Sequence, residues 1–84
     1  MNRFTEKNKD EYCVSDEKIK AAIQRLGVFE DAYDDLMGGQ VQIAKDLEAL
    51  RMQGKEKTVK FKEAMAQKLI NGHIMMFFER YGLK

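Results

Sequence analysis

Two side chains in this sequence commonly do covalent or proton-transfer chemistry near neutral pH, Cys13 and His73, and each is the only one of its type. A thiolate–imidazole pair needs the two groups within hydrogen-bond reach and a third group to orient the base. Nothing in the spacing of Cys13 and His73 brings them together, and no orienting group stands beside either. No catalytic residue and no enzymatic activity are therefore expected. Tetrahedral zinc draws on four Cys, His or carboxylate ligands, and the soft ones number two here, so no metal site and no cofactor are expected.

Carboxylates cluster once, at Glu30, Asp31, Asp34 and Asp35. On a helix, Glu30 stacks with Asp34 and Asp31 with Asp35, one turn apart. Dinuclear carboxylate centres in bundles need inward-facing Glu and Glu-x-x-His pairs from several helices. No such His follows these residues, and they lie off the apolar seam of their own helix. They read as a solvated acidic face, or as a dock for a basic partner. Opposite charge gathers at Arg51, Lys55, Lys57, Lys60 and Lys62, where Glu56 is the only acid within the turn. Residues 16–35 carry a net charge of −3 and residues 45–68 one of +3. The basic segment could hold phosphate backbones without sequence preference, or attract the acidic half of a neighbouring subunit. The chain has no P-loop, dinucleotide fingerprint or paired-Cys motif. A helix-turn-helix over Thr58–Tyr81 is disfavoured, because HIMMFFERY would place an apolar face in a major groove.

These groups must be positioned by helices. Residues 1–14 are polar and lack a sustained period, so the first ten are expected to lie loosely on the surface, with a short β-favouring patch at Tyr12–Val14. Ser15 is a good N-cap, Asp16 and Glu17 complement the helix dipole, and Val14 and Ile19 stand at the two positions of a hydrophobic staple. From there Ile19, Ala22, Leu26, Phe29, Tyr33, Leu36, Gln40, Ile43, Leu47 and Leu50 alternate steps of three and four. That is a heptad a/d seam with one polar member, Gln40. A break at Gly38-Gly39 would give a helical hairpin. Continuity is preferred, because a loop has no reason to keep the heptad phase on both sides. The expected fold is all-α: one coiled-coil-like helix over about 16–53 ending at Gly54, then a C-terminal helical hairpin of about 58–70 and 73–81, punctuated by Asn71-Gly72 and ended by Gly82. In the hairpin, Phe61, Met65 and Leu69 share one face with Ala64 beside them. Ile74, Phe77, Phe78 and Tyr81 share another.

A helix of that length spans about 57 Å at 1.5 Å per residue. A compact chain of this size should be only about 30 Å across. Part of the seam would then face water unless a second subunit covers it, so the chain is expected to form a homodimer or higher oligomer. The expected interface is Ile19, Leu26, Phe29, Tyr33, Leu36, Gln40, Ile43, Leu47 and Leu50, with Met76 reaching a second subunit or another protein. Gln40 would fix register inside the seam, or sit in solvent at a glycine bend.

Two stretches carry a resemblance. Tyr12–Tyr33, YCVSDEKIKAAIQRLGVFEDAY, and Leu47–Leu83, LEALRMQGKEKTVKFKEAMAQKLINGHIMMFFERYGL, resemble segments of small helical proteins encoded by prophages and mobile elements of Gram-positive bacteria. Those proteins have no established activity. The resemblance implies a genomic origin and a mostly helical fold, and transfers no site residue.

Composition bounds the rest. The 84 residues are 44% hydrophobic and 35% charged, with 15 Lys+Arg against 14 Asp+Glu. A net charge of +1 argues against general affinity for nucleic acid or anionic lipid. The longest apolar run, Ile74–Phe78, is far short of the roughly 20 residues that cross a bilayer. A lone cysteine forms no internal disulfide. The sequence predicts a 1–14 tail followed by one helical oligomerising domain over 15–84. It predicts a cytoplasmic interaction or accessory module without membrane contact, and a nucleic-acid-associated protein as the alternative.

Overall fold

A computed structural model of the chain describes residues 1–83. It holds, in chain order, β1 (Glu6–Asn8), β2 (Glu11–Cys13), a 3-10 turn (Asp16–Lys18), α1 (Ile19–Met52) and α2 (Val59–Glu79). The fold is all-α in character, with a small two-stranded sheet. Two compact units divide it, Met1–Asp34 and the chain from Asp35 onward.

The first unit departs from expectation at its start. Residues 6–13 form an antiparallel hairpin with Glu6 opposite Cys13, Lys7 opposite Tyr12 and Asn8 opposite Glu11. Its two-residue connection needs a left-handed backbone, which Lys9 supplies at φ 60°. Every strand residue is exposed, so cross-strand pairing rather than a core holds the ribbon. The Lys7 ammonium lies 5.8 Å from the centre of the Tyr12 ring opposite it, a cation–π contact.

Ser15 starts the helical region where the sequence puts it, with an extended backbone, but its hydroxyl caps nothing. Its carbonyl accepts from Lys18 N at 2.9 Å and opens a 3-10 turn that leads into α1. α1 then runs unbroken through Gly27 and Gly38-Gly39, as the unslipped heptad phase requires. At none of these three glycines would a Cβ meet an atom within 4 Å.

In the second unit, α1 ends at Gly54, whose φ of 69° no β-carbon would favour. Gly54 N donates to Arg51 O at 2.9 Å and Lys55 N to Leu50 O at 2.8 Å, the paired bonds of a Schellman cap. Thr58 closes the turn: its hydroxyl donates to Lys55 O at 2.7 Å and accepts from Phe61 N at 3.2 Å, capping α2. Gln40 Nε2 donates to Lys68 O at 3.0 Å, and the Arg51 guanidinium lies 5.5 Å from the Phe61 ring centre. These contacts set α2 antiparallel to the C-terminal part of α1. Leu47, only 1% exposed, and Leu50 are the buried apolar side chains among the described residues.

The expected break at Asn71-Gly72 is absent, since α2 is one helix from Val59 to Glu79. The Asn71 side chain is buried and accepts from Gln67 Nε2 at 2.8 Å, which removes its tendency to end the helix. A Cβ on Gly72 would sit 3.9 Å from Gln40 Nε2, so Gly72 faces the neighbouring helix instead of a turn. The expected faces of the C-terminal helices also differ. Phe61, Ala64, Asn71, Met75 and Phe78 form the sheltered row, whereas Met65, Leu69, Ile74, Phe77 and Tyr81 are exposed. The row includes the small and polar residues Ala64, Asn71 and Gly72.

Candidate interaction surface

The apolar surface with the most regular spacing lies on the first unit. Successive turns of α1 present Ile19, Ala22, Leu26 and Phe29, and Ile23 flanks them. Ala22 is half-buried, while Leu26 is 58%, Phe29 51% and Ile23 65% exposed. An apolar stripe on a regular helix can bury against another apolar surface, and each fully buried large side chain contributes about 1.5–3 kcal/mol.

One segment of the same unit already lies on this stripe. Phe4 and Thr5 are half-buried, and with Ala22, Arg25, Leu26 and Phe29 they line an open groove. Arg25 ties the segment down: its guanidinium stacks 4.0 Å from the Phe4 ring centre and donates to Asn2 O. No periodicity marks this segment in the sequence. Its one signal was an aromatic residue, Phe4, in an otherwise polar tail.

Further along the seam, Tyr33, Leu36, Gln40 and Ile43 are half-buried. Leu47 and Leu50 are buried within the second unit. Gln40 spends its amide N–H on Lys68 O, and its Oε1 is buried with no hydrogen-bond partner. Met76 is exposed and borders a shallow surface with His73, Phe77 and Arg80, where the Arg80 guanidinium lies 5.1 Å from the Phe77 ring centre.

The remaining candidates sit on open surface. Cys13 is exposed, its thiol donating to Glu6 O at 3.5 Å. Glu30, Asp31, Asp34 and Asp35 are exposed, and no group of three His, Cys, Asp or Glu among the described residues is arranged to hold a metal ion. Arg51, Lys55, Lys57, Lys60 and Lys62 are all exposed. Arg51 lies 3.8 Å from the Glu48 carboxylate, and Lys55 and Lys60 border an open cleft with Asp46 and Thr58. Carboxylates thus stand beside Arg51 and on the cleft that Lys55 and Lys60 border. No helix among the described residues is long and apolar enough to cross a membrane. Compared with known proteins, the chain matches no protein-family model, no curated protein and no solved structure.

Proposed function

We propose that the chain is a non-enzymatic helical interaction module that associates with itself through the N-terminal part of the α1 seam. The observation carrying this reading is the exposure of Leu26, Phe29 and Ile23 on heptad-spaced turns of one uninterrupted helix. Exposed stripes of this kind normally mark a partner surface. The occupant is a second copy, because one flanking pair is complementary to itself. Arg25 occupies a g position and Glu30 the e position of the next heptad, the pair that faces across a parallel, in-register dimer. Met76 and its neighbours on α2 are a further surface for a third copy or another protein. A prophage or mobile-element origin and a cytoplasmic setting belong to the same proposal, supported by the resemblance of segments 12–33 and 47–83 and by the unpaired Cys13.

The test replaces Leu26 and Phe29 together with Gln. Light scattering should find the native chain above its 9.8 kDa monomer mass and the variant at that mass, with helical circular dichroism largely retained. A native chain that stays monomeric at high micromolar concentration removes the proposal. The second reading, nucleic-acid association, is supported by the exposed lysines at 55, 57, 60 and 62 around the start of α2.

A further inference from the structure

Arg25 is asked for twice. Within one chain its guanidinium stacks on Phe4 and donates to Asn2 O, holding the N-terminal segment against Ala22, Leu26 and Phe29. Across a parallel pair of α1 seams, the same guanidinium is the g-position group that would meet Glu30 of the second copy. The two uses compete, since the Nη1 that donates to Asn2 O is spent within the chain and the segment it holds lies against Ala22, Leu26 and Phe29, the side chains a second seam would cover.

We propose that Met1–Thr5 is a displaceable strap over the self-association surface. Arg25 latches it in the lone chain and exchanges to Glu30 of the second copy when the seams pair. This rests on the self-association reading and adds its regulation. The strap is suited to leave. Met1–Arg3 are exposed, and its sheltered residues are Phe4 and Thr5. What it gives up is the Arg25 stack and hydrogen bond, the Arg3 contact 6.0 Å from the Tyr12 ring centre and the partial shelter of Phe4 and Thr5, while what it uncovers is a set of large apolar side chains already half in water. Lys18, the preceding g residue, faces Ile23 at e and brings no carboxylate, so Arg25 carries the charge exchange.

The strap makes a prediction that a structural tail would not: weakening it strengthens association. The experiment is sedimentation equilibrium of the full chain and of three point variants across a wide concentration range, with helicity checked by circular dichroism. Phe4→Ala removes the ring under Arg25. Arg25→Lys keeps the charge for Glu30 but loses the planar stack. Each should tighten the dimer Kd by about 3- to 30-fold, the range of one partly desolvated cation–π contact. Glu30→Lys leaves the strap intact and should weaken the dimer, since like charges would then meet. If the native chain dimerises but Phe4→Ala and Arg25→Lys leave Kd unchanged or raise it, the strap is overturned and self-association stands. A Glu30→Lys chain that dimerises as well as the native one overturns the exchange. If no variant and no native sample exceeds the monomer mass, the self-association reading itself fails.

Discussion

One heptad rule runs through both units of this chain, yet its residues meet different fates. From Leu36 onward the seam is sheltered: Leu47 and Leu50 are buried and Gln40 bonds to the backbone of α2. Before Tyr33 the same a and d positions hold Leu26 and Phe29 more than half exposed, with a short polar-flanked segment resting on part of them. Identical spacing therefore says that a face is apolar, not what covers it. Cover depends on which segment returns to that face, and the turn built by Gly54 and Thr58 brings α2 back onto the later part of α1.

The two parts of the seam should differ most in what truncation costs at the buried end. Leu47→Ala should destabilise the fold by about 2–5 kcal/mol, the usual cost of emptying a well-packed leucine site, measured by chemical denaturation at low concentration. Leu26→Ala in the same experiment should stay within about 0.5 kcal/mol, because an exposed side chain leaves no cavity. Equal losses at the two positions would erase the distinction between the units. A smaller effect of opposite sign is expected at Gln40. Gln40→Leu removes a buried carbonyl oxygen that has no partner and should be neutral or stabilising by about 1 kcal/mol, despite the lost bond to Lys68 O. A clear destabilisation there would mean that the polar contact holds the helices in register. Smaller again, Gly38→Ala and Gly39→Ala should each raise stability by about 0.5–1 kcal/mol, since the new methyl group meets nothing within 4 Å. A fall in thermal midpoint for either would show that close approach of another surface needs the glycines. The weakest expected effect is at the lysine-rich turn. Duplex DNA titrated at two salt concentrations should show no salt-dependent binding at micromolar protein, and a binding constant that falls with salt would favour the nucleic-acid reading.

The long helix was legible because its evidence is redundant: the seam keeps phase across Gly38-Gly39, and Gly54 closes it with the left-handed cap that its position predicts. α2 was legible as helix but not in its facing. Apolar residues lie nearly all round it, so periodicity favoured Met65 and Leu69, while the sheltered row uses Ala64, Asn71 and Gly72, which hydrophobicity does not mark. Asn71-Gly72 reads as a stop in isolation, and the bonds Gln67–Asn71 and Gln40–Lys68 override that local preference. Of the β-hairpin only the second strand was legible, in the β-favouring Tyr12–Val14, because the turn is Lys9-Asp10, without the glycine or asparagine that usually supplies positive φ. The strap had no period to detect. It exists through one pairing, Phe4 with Arg25, between residues far apart in the chain.

Concentration-dependent amide hydrogen exchange reports on both parts of the seam at once. Amides from Ile43 to Leu50 should be protected equally at low and high protein concentration, because α2 of the same chain covers them. Amides from Ile23 to Phe29 should gain protection as concentration rises and a second copy closes over them. Exchange at Ile23–Phe29 that is indifferent to concentration would mean that this exposed half of the seam is no interface.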